Sequence, residues 1–285
     1  MGGPATPFTT PIEQTPSSRS LALLKRTGSA VLFIPFFIWL VGFAPGWAFS
    51  AFVVLVGALG QWEFGRMFAR AGFASFPRLG VVAGVLVSAS FIRPEVTPLG
   101  VTVAVVGLLS ASLCQGWSGE PRWTAPALTL LGVLYVNWLI GHALWLRGLP
   151  HGIDWIFLLV WVTWVGESAA YCVGSLAGRH KLAPVVSPRK TVEGALAQLL
   201  VSPAAALVGR WWFFPECSLA DALSMGLLLG FVGQVGDLVE SFLKRICSTK
   251  DTGALIPGHG GLLDRLDSLL FNTPAVYYYA RFLAS

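Results

Sequence analysis

The residues best suited to chemistry lie in one block between Asp237 and Asp267. The block combines carboxylates, a hydroxyl, cations and glycines at close spacing: Asp237, Glu240, Ser241, Lys244, Arg245, Lys250, Asp251, His259, Gly260, Gly261, Asp264, Arg265 and Asp267. The chain around it is 55% hydrophobic and 12% charged. Because ionisable groups near a bilayer are costly, a dense cluster of them in such a chain indicates a functional site.

The block has the composition of a site for a divalent cation and a polyphosphate. Asp237 and Asp264 fall on separate predicted helices, and paired carboxylate oxygens suit a hard cation such as Mg²⁺. Lys244, Arg245 and Arg265 offer positive charge to phosphate oxygens. The glycines between them let a backbone approach a ligand closely. For the block as a whole, the alternative is a polar re-entrant loop of a transporter.

The first part of the block has the spacing of one helix face. Its polar residues recur at i, i+3, i+4, i+7 and i+8, while apolar residues occupy the other face. This pattern predicts an amphipathic helix at the inner end of a membrane span. For this segment alone, the alternative is a solvated face with an intrahelical Glu240–Lys244 ion pair.

A second polar segment, residues 175–193, carries four cations against one carboxylate. Positive-inside topology and attraction to anionic headgroups explain the cations. They do not explain why Ser187 and Thr191 flank the Arg189–Lys190 pair so closely. We therefore predict that this segment also contacts phosphate groups.

The elements that position these segments are apolar runs long enough to cross a bilayer. The runs are continuous rather than alternating, which favours helices over a membrane-spanning sheet. The sequence predicts an all-α polytopic membrane protein with about nine transmembrane helices and cytoplasmic active-site loops. The predicted spans are 28–44, 46–65, 79–92, 97–115, 124–145, 153–174, 194–213, 219–236 and 266–283.

The predicted organisation has three parts. Residues 1–27 form a disordered cytoplasmic tail, 28–150 the amino-terminal transmembrane helices, and 151–285 the carboxyl-terminal catalytic region. With the amino terminus inside, only four of the 19 Lys and Arg residues fall outside: Arg93, Arg147, Arg210 and Arg281. This bias predicts that the amino terminus and both polar segments face the cytoplasm.

The run from Ser241 to Asp267 resembles the signature of the phosphatidate cytidylyltransferases, also called CDP-diacylglycerol synthases. The matching positions are Ser241, Lys244, Arg245, Lys250, Asp251, Gly253, Pro257, His259, Gly260, Gly261, Asp264, Arg265 and Asp267. The segments Ser187–Gly194 and Ala170–Tyr171 with Gly174 are similar to further stretches of that family. At Glu167 this sequence departs from the family, which more often has Asp there.

The resemblance implies transfer of the cytidylyl group of CTP to phosphatidate, giving CDP-diacylglycerol and pyrophosphate in phospholipid biosynthesis. It implies a multi-pass protein of the cell inner membrane, in contact with the lipid bilayer, that forms a homodimer and binds no nucleic acid.

On this basis we assign roles to the matching residues. The predicted catalytic residues are Asp237, Ser241, Lys244, Arg245, Asp264 and Arg265. The predicted substrate-binding residues are Ser187, Arg189, Lys190, Thr191, Lys250, Asp251, His259, Gly260, Gly261 and Asp267. Asp237 and Asp264 are the predicted ligands of Mg²⁺, and the site leaves room for a second divalent or a monovalent cation.

Two neighbouring activities and one unrelated class compete with this prediction. A CTP-using lipid kinase of the polyprenol type would release CDP instead of pyrophosphate, and a CDP-archaeol synthase would take another lipid. A transporter would move a solute without turning over CTP. A CDP-alcohol phosphotransferase is disfavoured because its Asp-Gly…Ala-Arg run is absent from this sequence.

Overall fold

The computed structural model describes residues 33–113, 123–253 and 260–284, and nine α-helices lie within these ranges. They are α1 (Phe33–Gly42), α2 (Gly46–Arg70), α3 (Pro77–Ser90), α4 (Thr97–Leu113), α5 (Thr124–Arg147), α6 (Gly152–Ala177), α7 (Val192–Trp212), α8 (Leu219–Ile246) and α9 (Asp267–Phe282). The predicted tail, residues 1–27, lies outside the described residues.

Six of the described helices are long and apolar enough to cross a membrane. They are α2, α4 with the short turn before it, α5, α6, α7 and α8. The helices α1, α3 and α9 also coincide with predicted spans but are shorter than the roughly 20 residues that a span needs. A nearly all-α architecture with several apolar helices is confirmed for the described residues.

One polar segment differs from the prediction because it contains a β-hairpin. Strand β1 (Lys181–Ala183) pairs antiparallel with β2 (Ser187–Thr191) between α6 and α7. Short polar strands lack the alternation of apolar and polar residues by which a strand is recognised in a sequence, so the sequence predicts only a loop here. The hairpin ends where the Thr191 hydroxyl accepts a hydrogen bond from the Gly194 N–H at 3.2 Å and caps α7.

Buried neutral polar side chains hold the amino-terminal helices α2, α3 and α5 together. With its amide nitrogen facing them, Asn137 donates to Ser88 Oγ at 3.0 Å and to the carbonyl oxygens of Gly57 and Gly84 at 3.2 Å each. Asn137 lies in a π-helical stretch of α5, Val133–Trp138, where the helical register shifts. Gln61 of α2 donates to the carbonyl oxygen of Thr129 of α5 at 3.5 Å. We call these four buried residues the amide network: Gln61, Ser88, Thr129 and Asn137.

Close helix packing at glycines organises the carboxyl-terminal helices α6 to α9. A Cβ atom at Gly166 of α6 would lie 2.5 Å from Ser202 Oγ of α7, and one at Gly236 of α8 would lie 2.6 Å from the carbonyl oxygen of Asp267. Small residues of this kind let membrane helices approach closely. The Gly236 contact places the start of α9 directly beside the polar end of α8.

Candidate active site

The polar face of α8 is buried at Glu240 and Ser241, whereas its apolar face is partly exposed, with Leu243 packed in the core and Phe242 outside. Glu240 is 1% exposed and Ser241 is 8% exposed, whereas Phe242 is 52% exposed. The predicted amphipathic helix is confirmed, since α8 continues to Ile246. The alternative of a solvated polar face is wrong for Glu240 and Ser241, which are buried, and Arg245 at the end of that face is exposed.

Lys244 is the centre of a buried arrangement of three charges. Its Nζ atom lies 2.9 Å from Glu240 Oε1 and 2.8 Å from Asp264 Oδ1. The predicted pair within α8 is therefore present, and Asp264 joins it from the segment before α9. Removing one partner of such a pair strands a buried charge, which costs about 3–5 kcal/mol.

The second oxygen of Asp264 joins the two described ends of the glycine-rich segment, residues 250–261. Oδ2 accepts hydrogen bonds from the N–H of Gly261 at 2.8 Å, the N–H of Thr252 at 3.0 Å and the Thr252 hydroxyl at 3.1 Å. Burial alone would raise the pKa of the Asp264 carboxyl. The Lys244 ammonium and the two N–H groups outweigh burial and hold the pKa below its ordinary value, so Asp264 is an anion.

The β-hairpin brings the second polar segment to the same end of the bundle. Lys190 Nζ on β2 lies 2.6 Å from Asp237 Oδ2 on α8. The Ser241 hydroxyl, one turn further along α8, lies 3.5 Å from Asp237 Oδ1. The structure therefore brings together four residues from the two separately predicted segments: Lys190, Asp237, Ser241 and Lys244.

Carboxylates outnumber cations around these pairs. Asp267 lies in the electrostatic field of Glu240, Asp237 and Glu167, and Glu167 also interacts with Lys190 and Arg265. We call the whole group the charge cluster: Glu167, Lys190, Asp237, Glu240, Lys244, Asp264, Arg265 and Asp267. It contains five carboxyl groups and three cationic side chains, so carboxyl oxygens remain that could accept an added cation.

The charge cluster fits a divalent cation in its chemistry but does not form a ready-made metal shell. Among the residues that the structure describes, no three acidic, cysteine or histidine side chains converge as metal ligands. The carboxylates of Asp237 and Asp264 contact lysine ammonium groups instead. However, Glu240 Oε2 is a buried acceptor to which no described residue donates, so this oxygen is open to a further partner such as a cation.

Other predicted site residues lie at the rim of the cluster. Arg245 is exposed and donates to the carbonyl oxygens of Val186 at 3.1 Å and Thr249 at 3.2 Å, so it contacts the turn of the hairpin. Arg189 is exposed on β2, and Ser187 is half-buried there. Two of these residues lie next to members of the cluster, Arg189 beside Lys190 on β2 and Arg245 beside Lys244 on α8.

The glycine-rich segment is described at its two ends. Lys250 and Asp251 are exposed just after α8, and Gly260 has a φ of 84°, a left-handed conformation that favours glycine. His259 lies outside the described residues. Thr252, which is 3% exposed, was not singled out from the sequence. Its place between Asp251 and Gly253 in the signature was the available signal.

Comparisons with known proteins agree with this arrangement. The model of a family described as the cytidylyltransferase family matches residues 24–283. A protein from Synechocystis sp. named phosphatidate cytidylyltransferase is 33% identical over 265 residues, which cover 82% of this chain and 88% of that relative. Proteins of the same name from Staphylococcus aureus (strain COL) and Staphylococcus epidermidis (strain RP62A) are each 38% identical over 148 residues. Those matches cover 52% of this chain and 56% of each relative.

Proposed function

The chain belongs to the cytidylyltransferase family, and we infer that it transfers the cytidylyl group of CTP to phosphatidate, giving CDP-diacylglycerol and pyrophosphate. It is thus a nucleotidyltransferase of phospholipid biosynthesis. The observation that carries this function is the charge cluster itself. Asp237 on α8 contacts Lys190 of the hairpin at one end of an apolar helix bundle. At the same end the signature residues Lys244 and Asp264 contact each other.

The reaction depends on positioning and charge neutralisation more than on a general base. A phosphate oxygen of phosphatidate attacks the α-phosphorus of CTP in line, and pyrophosphate leaves. The attacking oxygen is already anionic, so no group has to remove a proton from it. Preorganised cations in a half-buried site can then supply most of the stabilisation. Lys190, Lys244 and Arg265 are the cations that the cluster offers.

We propose that Asp237 and Asp264 hold Mg²⁺, as their types and spacing predict. These carboxylates would hold the ion so that it supplies positive charge to the phosphates and to the leaving pyrophosphate. The excess of carboxylates and the orphaned Glu240 oxygen support this assignment. Lys190 and Lys244 now neutralise Asp237 and Asp264, and in this proposal they become available to phosphate oxygens. Room for a second divalent or a monovalent cation remains part of the proposal.

The rim residues are proposed to receive the substrates. Arg189 and Arg245 are exposed beside the cluster and carry charge suited to the triphosphate of CTP or the phosphate of phosphatidate. Lys250 and Asp251, together with Gly260 and Gly261, would line the same entrance from the glycine-rich segment. Thr191 already caps α7, so its contact with substrate would be additional to that role.

The membrane arrangement is proposed as nine spans in the cell inner membrane, with the amino terminus and the charge cluster facing the cytoplasm. The bias of Lys and Arg supports this orientation. In a cysteine-free background, Lys190→Cys should resist an impermeant thiol reagent added to intact cells, whereas Arg93→Cys should react. Labelling at position 190 would contradict the orientation. The family resemblance supports a homodimer. Measuring the mass of the protein in detergent tests this.

Product analysis tests the proposed activity. Purified protein in detergent should convert CTP and phosphatidate into equal amounts of CDP-diacylglycerol and pyrophosphate, and EDTA should stop both. Release of CDP in place of pyrophosphate would identify a lipid kinase. Absence of CTP turnover with solute flux in sealed vesicles would identify a transporter. Either result would refute the cytidylyl transfer.

A further inference from the structure

A carboxylate from the amino-terminal half reaches the glycine-rich segment of the site. Glu63 of α2 is 5% exposed, and its Oε2 atom accepts hydrogen bonds from the Leu263 N–H at 3.0 Å and the Thr252 hydroxyl at 3.3 Å. Those partners are 200 and 189 positions away along the chain. One buried carboxylate therefore ties both described ends of the segment to α2.

Two signature glycines make room for this carboxylate. A Cβ atom at Gly253 would lie 2.6 Å from Glu63 Oε1, and one at Gly261 would lie 2.8 Å from Glu63 Oε2. Real Cβ contacts essentially never fall below 3.0 Å. Neither glycine has a φ in the left-handed region, so close approach and not backbone conformation requires glycine here. At Gly253 the approaching group is Glu63 alone, and at Gly261 the Thr252 hydroxyl lies even closer than Glu63. The sequence had suggested only that these glycines admit a ligand.

The same contacts couple Glu63 to Asp264. The Thr252 hydroxyl lies 3.3 Å from Glu63 Oε2 and 3.1 Å from Asp264 Oδ2. A hydroxyl carries one hydrogen, so the two carboxylates share a single donor. Leu263, whose N–H bonds to Glu63, immediately precedes Asp264. The Glu63 carboxylate therefore fixes the backbone on which Asp264 stands.

Packing reinforces the hydrogen bonds at the same place. The Leu263 side chain is 1% exposed and packs against α2 at Gly60, which lies three residues before Glu63. A Cβ atom at Gly60 would lie 3.1 Å from Leu263 Cδ2. Helix α2 thus contacts Leu263 twice. Gly60 leaves space for the Leu263 side chain, and the Glu63 carboxylate accepts a hydrogen bond from the Leu263 N–H. This fit defines the distance between α2 and the segment before α9.

We propose that Glu63 is a positioning residue for the transfer reaction. It anchors Thr252 and Leu263 to α2 so that the Asp264 carboxylate faces Lys244, and it acts through these residues without touching substrate. The proposal rests on the proposed function of the charge cluster. It assigns the amino-terminal helices a part in the reaction beyond spanning the membrane.

Substitution of Glu63 gives the first test. We expect Glu63→Ala to lower kcat about tenfold, because misplacing a reacting group by a fraction of an ångström is costly, while KM for CTP changes little. Glu63→Gln keeps an oxygen that accepts from the Leu263 N–H and should restore most of kcat. The matched control is Glu95→Ala, which removes an exposed carboxylate and should leave kcat unchanged. A wild-type kcat in Glu63→Ala would overturn the proposal.

A double-mutant cycle separates this role from general stability. Gly253→Ala should lower kcat in the wild-type background, because its Cβ atom collides with Glu63. In the Glu63→Ala background the colliding atoms are gone, so Gly253→Ala should add almost nothing. Gly107→Ala is the control, because a Cβ atom there meets nothing within 4 Å. Fully additive losses would show that Glu63 and Gly253 act independently and would overturn the proposal.

Hydrogen–deuterium exchange supplies a readout that does not depend on activity. Glu63→Ala should accelerate exchange of the Leu263 and Thr252 amides, with exchange in α4 unchanged. If wild-type protein made no CDP-diacylglycerol while this acceleration appeared, the anchoring contact would stand and the proposed function would fail. Unchanged exchange would overturn the anchoring itself.

Discussion

The amide network and the charge cluster are both polar groups buried among apolar helices, but they solve the problem of burial differently. In the amide network, Asn137 and Ser88 are fully buried, neutral and hydrogen-bonded to each other and to nearby carbonyl oxygens. In the charge cluster, Lys244 Nζ lies 2.9 Å from one oxygen of Glu240, and the other Glu240 oxygen has no donor among the described residues. The polar groups of the amide network are hydrogen-bonded to one another, whereas the charge cluster can accept a further partner such as a cation.

This difference shows which group can change its partners. A hydrogen bond between membrane helices stabilises the fold by only about 0.6 kcal/mol on average. The amide network therefore joins its helices through small contributions, and because its groups are paired it needs no ligand. A buried charge left unpaired costs about 3–5 kcal/mol, so the charge cluster is sensitive to every ion that enters or leaves. Glu63 lies two residues from Gln61 of the amide network and reaches Leu263 beside the charge cluster. It connects the two groups.

Replacing Lys244 should have the largest effect on the charge cluster. Lys244→Met should lower kcat about a hundredfold, because phosphate charge loses a preorganised cation, and should lower the free energy of unfolding by about 3 kcal/mol. The loss of stability comes from leaving Glu240 and Asp264 without their shared ammonium group. Steady-state kinetics and thermal unfolding in detergent measure the two effects.

A second substitution separates these effects of Lys244. Adding Glu240→Gln to Lys244→Met removes one stranded charge and should restore much of the thermal stability without restoring kcat. Recovery of both quantities would mean that Lys244 serves only as the partner of Glu240.

The amide network should respond in the opposite way. Asn137→Ala removes the donor to Ser88 Oγ and to two glycine carbonyl oxygens, so we expect a loss of about 1–3 kcal/mol in the free energy of unfolding. Its kcat, measured on the protein that remains folded, should stay within about twofold of wild type. A loss of kcat as large as that of Lys244→Met would erase the distinction between the two groups.

The smallest expected effect is at the edge of the cluster. Thr191→Val keeps the side-chain shape but loses the cap of α7, which should cost about 1 kcal/mol and change kcat/KM little. Ser218→Ala, which removes the cap of α8, is the matched control for stability. A selective fall in kcat/KM for Thr191→Val would instead support its predicted contact with substrate.

The sequence was most informative where the signal is local. Apolar runs located the helices, and the spacing of Glu240 and Lys244 predicted both a helix and an ion pair that the structure contains. The hairpin was missed because short polar strands carry no apolar alternation. The Glu63–Leu263 bond joins residues 200 positions apart, and no local pattern could predict it. Six described helices meet the length and hydropathy of a span, so the count of nine stays a prediction.

The proposed Mg²⁺ site at Asp237 and Asp264 is tested most directly by measuring the turnover of Asp237→Asn across a Mg²⁺ titration. Asp237 contacts only Lys190 and Ser241 through the bonds described here, so its amide should preserve the fold better than a change at Asp264. Asp154→Asn, in the His151 pair at the other end of α6, is the control and should turn over normally. We predict at least about a hundredfold loss of kcat for Asp237→Asn, with a higher Mg²⁺ requirement. Near-normal turnover with an unchanged Mg²⁺ requirement would contradict a Mg²⁺ site at Asp237 and Asp264.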